Sequence, residues 1–228
     1  MGNYLNPGNE KFRRMIQSEI YVDKTGMIKY TNSVLDTAQN YVCVSRPRRF
    51  GKSMAANMLT AYYSRGCNSK ELFGKFEIAK DKDFEKYLNQ YNTIFLNMQE
   101  FLSRSHNVEE LIDRVKKLVI RDLKMEYPEV DYFDDTDLIE CMQDIYAQMQ
   151  CPFIVIIDEW DCIFREYKQS GHRLSGQPGS VPVRPAELHV IRFRHAGTVP
   201  GSDQRALRHR AGAPAASGSA ACRYSLAV

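Results

Sequence analysis

Residues 1–168 of this sequence predict an α/β domain, a parallel sheet flanked by helices, on three observations. Short apolar runs bounded by turn residues alternate with longer runs of helical periodicity. One of the short runs, PFIVIID at 152–158, holds five consecutive apolar residues, as a strand buried on both faces does. A turn-like segment joins the first strand to the next helix and ends Gly51-Lys52-Ser53.

The elements follow in order. YVDKTGMIKYTNSVL at 21–35 predicts a helix with Met27, Ile28 and Leu35 on its apolar face. NYVCVSR at 40–46 is short, β-branched and aromatic, and runs into the turn-like RPRR, so it reads as a buried strand. KSMAANMLTAYYS then places Met54, Met58, Ala61 and Tyr62 on one helical face. TIFLNM at 93–98 is a second strand. The strongest helical signal is VEELIDRVKKLVIRDLKMEY, whose stripe runs through Val108, Leu111, Ile112, Val115, Leu118, Val119 and Leu123. TDLIECMQDIYAQM repeats the pattern with Leu138, Met142, Ile145, Tyr146 and Met149, with Asp135 or Thr136 as the expected cap. Pro152 punctuates the entry to the last strand.

Composition divides the chain near Lys168. Beyond it there is no lysine, and eight arginines face two acids, Glu187 and Asp203, a net +6. The whole-chain charge of +3 therefore leaves −3 on residues 1–168. The segment 169–228 is rich in Ala, Gly, Pro, Ser and Arg, and little of it shows helical or strand periodicity, the short exception being ELHVIRF. Such a composition buries too little apolar surface to offset chain entropy, so most of it is expected to be disordered. A shift this abrupt is also what a changed reading frame or an unrelated fused tail produces. Nucleic-acid binding by the basic tail is the weakest reading, because no aromatics interleave its arginines at regular spacing.

No run of 18 apolar residues occurs, which excludes a membrane-spanning helix on length. The N-terminus lacks a signal-peptide core, and Asn6 stands where a myristoylation signal has Ser or Thr. Six cysteines are scattered without a C-x-x-C pair, as expected of a protein of the reducing cytoplasm.

The chemistry concentrates between the first strand and its helix. A nucleoside triphosphate is held by backbone N–H groups at a helix N-terminus, where the helix dipole favours anions. Gly51 allows close backbone approach, Lys52 reaches the β and γ phosphates, and the Ser53 hydroxyl ligates Mg²⁺. Arg46 occupies the position of the usual leading glycine, and Pro47 removes one N–H donor. Arg46, Arg48 and Arg49 can compensate, since guanidinium groups bind phosphate bidentately. Residues Arg46 to Met54, Phe50 among them, are thus the candidate nucleotide contacts. The alternative is a solvated basic turn followed by a chance tripeptide. Downstream, Asp158 ends an apolar strand where a Mg²⁺-holding acid belongs, and Glu159 is placed to polarise an attacking water. The fold expected from this pair of motifs is of the P-loop NTPase type.

YVDKTGMI (21–28), SRPRRFGKSM (45–54), MLTAYYS (58–64), ELF (71–73) and IIDEWD (156–161) together resemble the bacterial AAA-ATPase-like family. The resemblance spans about residues 10–168, and in that family the arginine-rich loop is usual. It implies ATP and Mg²⁺ as ligands, with Lys52 and Ser53 on the nucleotide and metal and Asp158 and Glu159 as the metal and water-activating acids. It also implies self-association, further strands beyond residue 168, and nucleic-acid contact only indirectly, through a C-terminal nuclease-like domain that these residues do not match. The sheet is accordingly expected to be incomplete on its C-terminal side. Asp23 and Lys24 belong to the same signature without a derivable role, a buried ion pair or a helix cap being the simplest. Two functions stand beside each other at this point: Mg²⁺-dependent ATP hydrolysis driving a conformational change, and a nucleotide-dependent interaction module, or inactive truncated domain, that does not turn ATP over.

Overall fold

The computed structural model describes residues 2–45 and 49–163, and the backbone of 187–193. Four strands, β1 (Tyr41–Ser45), β2 (Asn92–Asn97), β3 (Phe153–Asp158) and β4 (Glu187–Phe193), form one sheet in the order β1-β4-β3-β2. β2 and β3 pair in parallel, with Asn97 opposite Asp158. β4 runs antiparallel to both β1 and β3, so the three strands read from the sequence point one way and β4 alone points the other. The expected parallel sheet is therefore a mixed one.

β4 is the ELHVIRF segment inside the tail. Averaged over the 60 residues of 169–228, its composition was diluted by Ala, Gly, Pro and Arg. Seven residues, with Val190, Ile191 and Phe193 among them, suffice for a strand when both backbone edges find partners. The rest of that segment, with the disorder expected for it, lies outside the described residues.

One face of the sheet carries α1 (Glu10–Ile16), α2 (Gly26–Leu35), α3 (Lys52–Tyr63), the short α4 (Lys70–Phe73), a 3-10 turn (Glu77–Lys80) and α5 (Phe84–Tyr87). The other carries α6 (Met98–Leu102), α7 (Val108–Glu126) and α8 (Leu138–Met149). The two cores divide the strands by alternation. Phe95, Ile154 and Ile156 join Phe12, Ile28, Leu59, Tyr62, Tyr63 and Phe73 on the first face. Ile94, Leu96 and Phe153 join Leu111, Val119, Leu123, Met142 and Ile145 on the second. Burial on both faces is what makes the strand sequences continuously apolar.

Three sequence readings change. α3 is not one-faced: every residue from Ala55 to Tyr63 is buried. Its polar groups are satisfied internally, Thr60 Oγ1 donating to the Ala56 carbonyl, Tyr62 to the Phe84 carbonyl and Tyr63 to Asn32 Oδ1. In α7, Ile112 is exposed, while Ile120 and Asp122 turn inward. α8 is capped by Asp137, whose carboxylate accepts from the Ile139 and Glu140 amides, rather than by Asp135 or Thr136.

Asp122 faces inward for a purpose outside its helix. It accepts hydrogen bonds from the backbone amides of Tyr4 (2.7 Å) and Leu5 (3.3 Å). The N-terminal arm thereby lies along β2, with Asn6 N donating to the Thr93 carbonyl and Phe95 N to the Tyr4 carbonyl. This pairing covers an edge that would otherwise present unpaired backbone groups.

Candidate functional site

The carboxyl ends of β1 and β3 lie at the same border of the sheet. Val44 pairs with Leu188 and Ile157 with His189, so the two ends are level and separated by β4, about 10 Å across. Ligands of open α/β sheets bind at this border.

From β1 the chain passes through Arg46, Pro47 and Arg48, which lie outside the described residues, into a tight turn. Arg49 (φ 68°) and Gly51 (φ 77°) are both left-handed. Gly51 is the N-cap of α3, and that backbone region favours glycine. Arg49 and Phe50 are exposed, Phe50 at 58%. Lys52, the first residue of α3, is buried, Ser53 is exposed on the first turn, and Met54 is half-buried. The positive end of a 12-residue helix thus opens toward the border, with two candidate polar side chains on its first turn.

Asp158 closes β3 on the opposite side and is 1% exposed. One carboxylate oxygen, Oδ1, accepts from the Glu159 amide at 3.0 Å; the other, Oδ2, has no hydrogen-bond partner. Burial raises the carboxyl above its ordinary value of 3.8, and the nearby Glu159 charge adds to this. The Ser53 hydroxyl, the Glu159 amide and the Lys52 ammonium pull the other way. Ser53, Lys52, Asp158 and Glu159, separated by a hundred residues in sequence, are therefore electrostatic neighbours. Glu159 is half-buried with φ 56°, a strained conformation for a residue bearing a side chain.

No group of three or more His, Cys, Asp or Glu side chains able to hold a metal occurs among the described residues. A buried carboxylate oxygen without a partner, beside a serine hydroxyl, nevertheless fits a hard cation. Mg²⁺ in particular uses one or two carboxylates and takes its remaining oxygens from phosphate and water.

Asp158 binds its proton more readily in the folded chain than in the unfolded one. Ligand-free stability should therefore be greatest below the unfolded carboxyl's value, decline as pH rises from there through the raised folded value, and level off above it. Asp158→Asn is expected to remove this dependence and to raise the neutral-pH Tm. Thermal unfolding of both proteins between about pH 4 and pH 8 checks it; equal slopes would place the penalty elsewhere.

The family model described as Predicted AAA-ATPase matches residues 7–175. The chain belongs to this AAA-ATPase-like family. The matched region includes β1 to β3, α3 and both acids of the candidate site. No curated protein and no solved structure matches the chain. No helix among the described residues of this AAA-ATPase-like chain is long and apolar enough to cross a membrane.

One contact at the site had no signal in periodicity or spacing. Lys24 Nζ donates to the Phe50 carbonyl at 2.6 Å, joining the YVDKT signature to the loop it precedes by 26 residues.

Proposed function

We propose that this chain binds ATP with Mg²⁺ between the N-terminus of α3 and the end of β3, in a P-loop NTPase-type arrangement, and hydrolyses it to drive a conformational change. The observation that carries this reading is the buried, partnerless Oδ2 of Asp158, set beside Lys52 and Ser53 at a helix N-terminus. An unpaired buried carboxylate oxygen is costly unless a ligand completes it. The family to which the chain belongs supports a general ATP-related role.

The residues divide the work. The amides that open α3, with Arg49 beside them, hold the phosphates, and Gly51 lets the backbone approach them. Lys52 places its ammonium on the oxygens where charge develops during transfer. Ser53 and Asp158 would hold the metal, and Mg²⁺ would supply neutralisation of the phosphate charge when bound. Glu159 accepts the proton of the attacking water.

Lys52→Ala tests the reading by equilibrium titration with a fluorescent ATP analogue in Mg²⁺. Affinity is expected to fall by roughly tenfold to a hundredfold, on the scale of one charge-assisted contact to phosphate. Equal affinity in variant and wild type would remove the loop from the site. Wild-type binding without phosphate release would instead identify a nucleotide-dependent interaction module.

A further inference from the structure

Asp23, Lys24 and Thr25 form a rigid clip beside the phosphate loop. Asp23 Oδ1 accepts from the Thr25 amide (2.8 Å) and Oδ2 from the Glu77 amide (3.0 Å). Thr25, fully buried, accepts the Ile78 amide on its hydroxyl (3.2 Å). Residues on both sides of Lys24 are thus tied to the 3-10 turn at Glu77–Lys80. The half-buried Lys24 side chain reaches away from that clip to the Phe50 carbonyl.

The location of this ammonium is unusual for a lysine with a purely structural role. A Cβ built on Gly51 would lie 3.0 Å from Lys24 Nζ, so the ammonium sits directly over the residue that caps α3. A cation at a helix N-terminus meets the positive end of the dipole. The carbonyl bond offsets part of that repulsion, and an anion at the same place would offset the rest.

We infer that Lys24 is a positioning residue for the phosphate loop: by holding the Phe50 carbonyl it fixes the left-handed turn at Gly51, so that the amides entering α3 face the phosphates. A carbonyl left unheld at this point can rotate, and its oxygen would then face the anion instead of the amide hydrogens. The inference rests on the ATP-binding reading above, but its effect on the loop does not require nucleotide.

Two measurements on the 228-residue chain separate the two. In nucleotide-free protein, Lys24→Met is expected to speed hydrogen exchange of the Ala55 amide, which donates to the Gly51 carbonyl at 3.0 Å, while leaving the cores of α7 and β3 unchanged. Lys24→Arg, which can still donate to the carbonyl, restores protection. In ATP titrations Lys24→Met weakens binding about tenfold, and Lys24→Arg recovers most of it. Exchange at Ala55 unchanged by Lys24→Met, or a uniform loss of protection across the domain, overturns the inference. So does ATP affinity equal to wild type in a protein where Lys52→Ala loses it. Wild-type protein that binds no ATP refutes the ATP reading and the nucleotide-positioning role together, and the exchange data then report separately whether Lys24 holds the loop.

Discussion

Glu159→Gln is expected to retain ATP binding within about twofold and to lose turnover by roughly 10²- to 10⁴-fold, the usual contribution of a positioned general base. The substitution preserves shape and hydrogen-bonding capacity while removing the proton acceptor. Glu159 follows the buried Asp158 directly, and its left-handed backbone turns the chain sharply at the end of β3, closed by the Cys162 amide donating to the Glu159 carbonyl at 3.1 Å. A side-chain-bearing residue in this region carries strain of about 1–3 kcal/mol, which the fold would shed if the position were free to be glycine. Glu159→Gly provides the control. It relieves the backbone, raising Tm, and still loses turnover. Phosphate release measured beside equilibrium binding decides the matter: a glutamine variant that hydrolyses ATP at the wild-type rate would exclude Glu159 as the base.

Ending the chain at Lys168 is expected to abolish cooperative unfolding and, with it, nucleotide binding. The truncation removes β4, which pairs five residues of β1, from Tyr41 to Ser45, and five of β3, from Phe153 to Ile157. Among the described residues β1 has no other strand partner. Each buried backbone group left unpaired costs about 1–3 kcal/mol, so a handful exceeds the roughly 5–15 kcal/mol that holds a domain folded. Val190→Pro, which deletes one ladder donor at the middle of β4, is a milder form of the same test and should lower Tm markedly. Circular dichroism through thermal and urea unfolding reads both. A 1–168 chain that melts like the 228-residue chain would show that residues 187–193 add nothing to the sheet.

Where local pattern and tertiary environment agree, the sequence reading and the structure coincide. β2 and β3 are apolar throughout because helices cover both faces, and that burial is legible as an uninterrupted run. α7 and α8 are legible from their stripes because one side of each meets solvent. α3 is the opposite case. Its sequence offers a modest stripe, yet Ala55 to Tyr63 are all buried: Asn57 and Thr60 bond carbonyls of α3 itself, while the Tyr62 and Tyr63 hydroxyls find partners supplied by α2 and α5. The cap of α8 moved to Asp137 because Asp134 and Thr136 are engaged with each other.

The candidate site divides along the same line. The residue types of Gly51, Lys52, Ser53, Asp158 and Glu159, and their places at the ends of strands and the start of a helix, are written in the local sequence, since strand, turn and helix signals act over a few residues. Three facts exist only in three dimensions. β4 lies between the strand that leads into the candidate phosphate loop and the strand that ends at Asp158, because a seven-residue strand gains its stability from two neighbours rather than from its own composition. Asp158 Oδ2 is left without a partner, because burial is a property of the surroundings. Lys24 grips the Phe50 carbonyl, because a contact between residues 26 apart depends on how α2 and α3 pack and leaves no periodic trace in the chain.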